Sequence, residues 1–149
     1  AKEKDVKLLE TFWKKIGSKV DIMDAKQHDY ILSITSHIPH LIAYNIVNTS
    51  LNIQGEKESS IVKYSAGGLR DFTRIAASNP IMWRDVFIQN KKNTSEMIDK
   101  FIENLEGLKK AIENEDGKKL EEIFTKTQKI RKEIIEAGQD VSKPDFGRK

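Results

Sequence analysis

Residues 98–137 read IDKFIENLEGLKKAIENEDGKKLEEIFTKTQKIRKEIIEA. Ile98, Phe101, Leu105, Leu108 and Ile112 follow one another in steps of three and four, and Leu120, Ile123, Thr127, Ile130, Ile134 and Ala137 do the same. That spacing lines one face of an α-helix. The polar stretch ENEDGK at 113–118 separates the two patterns, so the segment predicts an antiparallel helical hairpin with coiled-coil-like seams. NTSE at 93–96 resembles a capping box at its start.

Upstream, the same period recurs in shorter pieces. Val6, Leu9, Phe12, Trp13 and Ile16 predict a helix over 2–16, closed by Gly17. Residues 19–23 form an irregular or extended link. From Asp24 the pattern resumes through Ile31, Ile34, Ile38, Leu41, Ile42 and Ile46, with a kink or break expected near 36–38 because Pro39 lacks an N–H and restricts its predecessor. LNIQGEKE at 51–58 reads as a polar loop. Ile61, Val62 and Tyr64 suggest a short helix ending at Gly67-Gly68, and residues 69–77 can be helical. Asn79 has the chemistry of an N-cap, with Pro80 at the first helical position of a segment running to Asn90. The tail from Gly138, with Pro144 and Gly147, reads as irregular. With no alternating strand pattern and no fixed-period repeat, the expected fold class is all-α.

The totals exclude several classes. A length of 149 residues fits one domain with a real core, and 38 % hydrophobic with 33 % charged residues suits a soluble helical protein. The net charge of +3 favours anionic partners only weakly. There is no cysteine, hence no disulfide or thiolate metal site. No apolar run approaches the ~18–20 residues of a membrane span. The charged start AKEKDVKLLE is no signal peptide, and beginning directly in a helical pattern is how a fragment or processed chain would look. The two N-x-[ST] matches, at 48–50 and 93–95, read as chance or helix-cap chemistry. G-x-G-x-x-G, the P-loop and the G-x-S-x-G elbow are all missing. Lys126, Lys129, Arg131 and Lys132 alternate with glutamates, which marks a solvated face rather than a nucleic-acid stripe.

Two constellations carry chemistry. The three histidines, His28, His37 and His40, fall within a short segment, and His37 and His40 are three apart beside apolar residues. Their residue types admit a metal site with Asp29, a structural role at helix ends, or polar contacts to an anion. The spacing is not H-E-x-x-H. The second constellation is SAGGLRDFTRIAASNPIMWRD at 65–85. Arg70 and Arg74 are four apart behind a glycine pair. They serve either as surface ion pairs with Asp71, worth under ~1 kcal/mol, or as a clamp for a carboxylate or phosphate. On composition alone Trp83 is a core residue.

Taken together, these segments resemble a known family. HDYILSITSHIPHLIAYNI (28–46) is similar to the segment of the prephenate dehydrogenase family that carries its SHLPH motif. SAGGLRDFTRIAASNPIMWRDVFIQN (65–90) is similar to that family's GGFRDFTRIAASDP block. The tail IIEAGQDVSKPDFGRK resembles the end of the cyclohexadienyl dehydrogenase branch. The resemblance runs along nearly the whole chain.

It implies an enzyme of tyrosine biosynthesis that oxidatively decarboxylates prephenate, or arogenate, with NAD or NADP as acceptor. The family has an N-terminal Rossmann domain and a C-terminal helical domain that dimerises. This chain resembles the second over 1–149, so the Rossmann domain, with the family's catalytic histidine and its serine partner, is expected to be absent. No catalytic residue, bound cofactor or metal is therefore expected in this chain alone. By resemblance, Arg74 would grip the ring carboxylate of prephenate, while His37 and Gly67 would hold the side-chain carboxylate. Arg70 stands where a basic side chain often enters from the neighbouring subunit. Asp71 would pair with Arg74 and gate access, His40 would sit near the catalytic centre, and Trp83 would line the cleft. The implied partners are a second copy, prephenate or arogenate, and the Rossmann domain, in the cytoplasm, with neither nucleic acid nor membrane. Two other readings fit the residues: an HD-type metal-dependent helical hydrolase built on His28-Asp29, and a purely structural dimerisation module.

Overall fold

The computed structural model describes residues 1–54 and 64–138. The expected short helix at Ile61 and Val62, the second half of the loop at 51–58 and the tail beyond Gly138 lie outside them. Among the described residues every regular element is helical: α1 (Glu3–Lys15), α2 (Ala25–Leu32), a π-helical turn (Ser33–His37), α3 (Ile38–Gln54), α4 (Gly67–Thr73), a 3-10 turn (Arg74–Ala77), α5 (Pro80–Gln89), α6 (Lys91–Glu113) and α7 (Gly117–Glu136). The all-α expectation holds. Among the described residues no helix is long and apolar enough to cross a membrane. The chain divides into two compact units, Ala1–Ile98 and Asp99–Lys149, with the boundary inside α6.

In the first unit, α1 ends in a Schellman motif. Gly17 sits at φ +89, its N–H donates to Lys14 O (3.1 Å) and Ser18 N–H donates to Trp13 O (3.1 Å). Asp24 caps α2, its Oδ1 accepting from the N–H groups of Lys26 (2.9 Å) and Gln27 (3.0 Å). The interruption expected near 36–38 takes the form of a π turn between α2 and α3. There Ile38 N–H donates five residues back to Ser33 O, and Pro39 becomes the second residue of α3, where no intrahelical N–H is needed. α3 also runs past the expected loop start to Gln54, since Leu51, Asn52 and Ile53 contain no helix breaker.

The glycine pair opens a helix rather than ending one, α4 starting at Gly67. Both α4 and the 3-10 turn pack on α3, and Tyr44 Oη of α3 donates to Ser78 O at 2.8 Å. Asn79 caps α5 as expected, its Oδ1 accepting from Ile81 (2.9 Å) and Met82 (3.0 Å) N–H groups. The capping box at 93–96 is not formed. α6 already begins at Lys91, so Asn93 and Thr94 lie within its first turn and their side chains are used elsewhere. The buried apolar residues of this unit include Ile38, Ala43, Trp83 and Met97.

In the second unit, the C-terminal part of α6 and α7 form the expected hairpin around residues 114–116. The reversal is another Schellman motif, with Glu115 at the left-handed position (φ 52): Glu115 N–H donates to Ile112 O (3.0 Å) and Asp116 N–H to Ala111 O (2.9 Å). Asp116 Oδ1 then accepts from Lys119 N–H at 2.9 Å to cap α7. The apolar seams are largely open. On the seams Leu105, Ile112 and Ile130 are exposed, Ile112 by 63 %, and Phe124 beside the second seam is exposed by 56 %.

Candidate functional site

The π turn brings His37 into the first unit's aromatic cluster. His37 is buried, one of few buried polar residues among those described, together with Ser33 and Thr94. Its ring meets Trp83 edge-on at 6.3 Å and Phe87 at 6.4 Å. One turn on, His40 stacks on Trp83 with centroids 3.6 Å apart and planes 22° from parallel. Phe87 closes the group at 5.5 Å from Trp83. Trp83 is buried as composition suggests, yet among the described residues its Nε1–H has no hydrogen-bond partner. A buried donor left in that state costs ~1–3 kcal/mol.

The two site histidines are held differently. His40 Nδ1 lies 2.9 Å from Ser36 O, and a carbonyl only accepts, so the Nδ1–H donates and Nε2 is left with its lone pair in the neutral ring. His37 Nδ1 instead faces Asn90 Nδ2 (3.3 Å) and Thr94 Oγ1 (3.4 Å). Burial pushes the His37 imidazole below its ordinary value, opposed by the Asp29 carboxylate and reinforced by His28 and His40.

The remaining expected residues gather on α4 and the turn after it. Gly67 is the first residue of α4, behind Ala66, whose side chain makes no cap. A Cβ on Gly67 would lie 4.0 Å from Arg70 Nη2, an ordinary contact, so what sets this position apart is the lack of a side chain over the helix start and not a strained φ. Asp71 Oδ1 is 3.9 Å from Arg70 Nε. Among the described residues no ion pair joins Asp71 to Arg74. Arg74 opens the 3-10 turn with an exposed side chain. His28 Nδ1 contacts Asp29 Oδ1 at 3.1 Å on exposed α2, and among the described residues no three metal-ligating side chains cluster.

The family model described as "Prephenate dehydrogenase, dimerization domain" matches residues 24–126. The chain belongs to the prephenate dehydrogenase family. The cyclohexadienyl dehydrogenase of Zymomonas mobilis is 39 % identical over 120 residues, 80 % of this chain and 41 % of that protein. The prephenate dehydrogenase of Bacillus subtilis is 34 % identical over 125 residues, 83 % of this chain and 33 % of that one. Among solved structures, the prephenate dehydrogenase of Aquifex aeolicus, in complex with hydroxyphenyl propionate and NAD+, superposes with a TM-score of 0.83 at 37 % identity, covering 90 % of this chain and 46 % of that chain. The chain thus spans between a third and a half of the prephenate dehydrogenases it matches and carries their dimerization domain. Membership favours the dehydrogenase reading over a hydrolase built on His28-Asp29.

Reading the sequence missed Asn90, Thr94 and Phe87. Asn90 closes the block VFIQN and Phe87 lies within it, so the signal was present. Thr94 was assigned instead to a capping box.

Proposed function

We propose that the chain supplies the dimerisation and substrate-carboxylate-binding half of a cytoplasmic dehydrogenase that oxidatively decarboxylates prephenate or arogenate. The observation that carries this reading is the cluster of buried His37 and Trp83 with half-buried His40, its two histidines on the SHIPH segment inside the family match. The hydroxyphenyl propionate held by the Aquifex relative joins a six-membered ring to a short carboxylate arm, as prephenate does.

In this reading Arg74 binds the ring carboxylate through paired N–H donors. His37 and the Gly67 N–H hold the side-chain carboxylate, Arg70 reaches the site of a partner subunit, and Asp71 holds Arg70 in place. His40 and Trp83 form one wall, which keeps water from the ring. NAD or NADP accepts the hydride in such enzymes. Among the described residues every regular element is helical, and the sequence has no glycine-rich dinucleotide turn. A separate Rossmann domain is the nucleotide's expected holder.

The test is steady-state NAD reduction by the full-length protein with prephenate and with arogenate. Arg74→Ala should raise KM at least ~10-fold, the loss of a charge-assisted bidentate contact. An unchanged KM would remove Arg74 from the clamp, and a wild-type protein that turns over neither substrate would overturn the function.

A further inference from the structure

Asn90 is the single residue between α5 and α6, and all its polar groups are engaged. Its N–H donates to Val86 O (3.1 Å), and its carbonyl accepts from Thr94 N–H (3.0 Å). Its Oδ1 accepts from Asn93 Nδ2 (2.8 Å). Its side-chain amide donates to the backbone carbonyl of Asp29 at 2.7 Å. A carbonyl has no proton to give, so the Asn90 atom facing Asp29 is the nitrogen, and the amide cannot be turned over without setting two acceptors 2.7 Å apart. The second hydrogen of that NH₂ is left for His37 Nδ1, 3.3 Å away. Nδ1 must then accept, which requires the ring proton on Nε2.

We propose that Asn90, with Thr94 beside it, is a positioning residue that locks His37 as the neutral, Nε2-protonated imidazole, so that the ring offers a hydrogen-bond donor and no charge. Protonating Nδ1 would set an N–H against the Asn90 N–H. The charged groups facing the ring are Asp29, which favours protonation, and His28 and His40, which disfavour it along with burial. That the Nε2–H meets a substrate carboxylate rests on the function proposed above, whereas the lock stands without it. The lock has a chemical purpose. A neutral Nε2–H donates to a carboxylate oxygen without giving up its proton, and its strength stays constant across neutral pH.

The experiment is long-range ¹H–¹⁵N NMR of the histidine rings in the 149-residue chain, where only three histidines need assignment. At pH 7.5 His37 should show a lone-pair Nδ1 and a protonated Nε2, and His40 the reverse. Asn90→Asp, whose carboxylate accepts from Nδ1–H, should protonate Nδ1 and raise the His37 titration midpoint by about one pH unit or more. Should N90D not fold, Asn90→Ala should produce a mixture of tautomers. A wild-type ring protonated on Nδ1, or a folded N90D or N90A with the wild-type pattern, would overturn the lock. If the substrate reading alone is wrong, this spectrum is intact while Arg74→Ala leaves KM unchanged.

Discussion

His37 and His40 are three positions apart in sequence and chemically opposite. The acceptor beside His40 Nδ1 is a carbonyl four residues back, in the π turn, whereas the group beside His37 Nδ1 is an amide contributed from 53 residues away. The difference has a consequence for stability. The folded state lowers the proton affinity of His37, so the unfolded chain binds the proton more readily. Stability is complete above the ordinary histidine range and is lost as pH falls from there to the lower folded midpoint; below that both states are protonated and the loss stops. Urea unfolding at pH 8 and pH 5.5 should therefore show a smaller pH-dependent drop for His37→Gln than for wild type. Equal drops would mean that His37 is not the group responsible. The resemblance placed both rings in a substrate site by residue type. Neither tautomer was legible, because each depends on what the fold brings to Nδ1, and for His37 that group is remote.

The helices were legible wherever a period and a cap agree. Asp24 and Asn79 cap as their residue types demand, and Gly17 ends α1 through its positive φ. Some boundaries moved: α3 ran past the expected loop start, the glycine pair began a helix, and α6 began ahead of its supposed box. The interruption expected beside Pro39 took the form of a π turn. Another element runs against preference. Glu115 occupies the left-handed C′ position of the α6–α7 turn, where a Cβ costs ~1–2 kcal/mol and glycine is favoured. After allowing for the greater freedom of glycine in the unfolded chain, Glu115→Gly should stabilise the chain by roughly 0.5–1 kcal/mol. Thermal unfolding monitored by circular dichroism measures this directly, and a lower midpoint would contradict the turn assignment.

The chain keeps a large part of its apolar surface in solvent. Phe12 and Trp13 on α1, Phe101 and Ile112 on α6, and Phe124, Ile130 and Ile134 on α7 are all exposed. Rows of this kind mark surfaces that a partner covers, and the family match names this domain as one of dimerization. The expected assembly is a homodimer at micromolar concentration, with α7 contributing apolar contacts. Sedimentation velocity should show wild type as a dimer and Phe124→Asp with Ile130→Asp shifted toward monomer. A wild-type chain that is monomeric at tens of micromolar would contradict it. The periodicity predicted all of these apolar positions except Phe124, which lies beside the second seam. A single chain's sequence does not say whether such a face is closed by its own hairpin or by a second copy, because both satisfy the same heptad.

In a regular helix each residue's bearing is fixed by counting, about 100° per position. The turn at Ser33–His37 holds one residue more than that count allows. Everything after it, His40 included, is clocked to a different zero from everything before it. The extra residue is therefore absorbed within positions 33–37, where a one-residue deletion would convert the π turn into plain α-helix. A relative lacking that residue would run as a continuous helix with its second histidine on the same bearing, whereas deleting one residue elsewhere in the helix would rotate that histidine by about 100°.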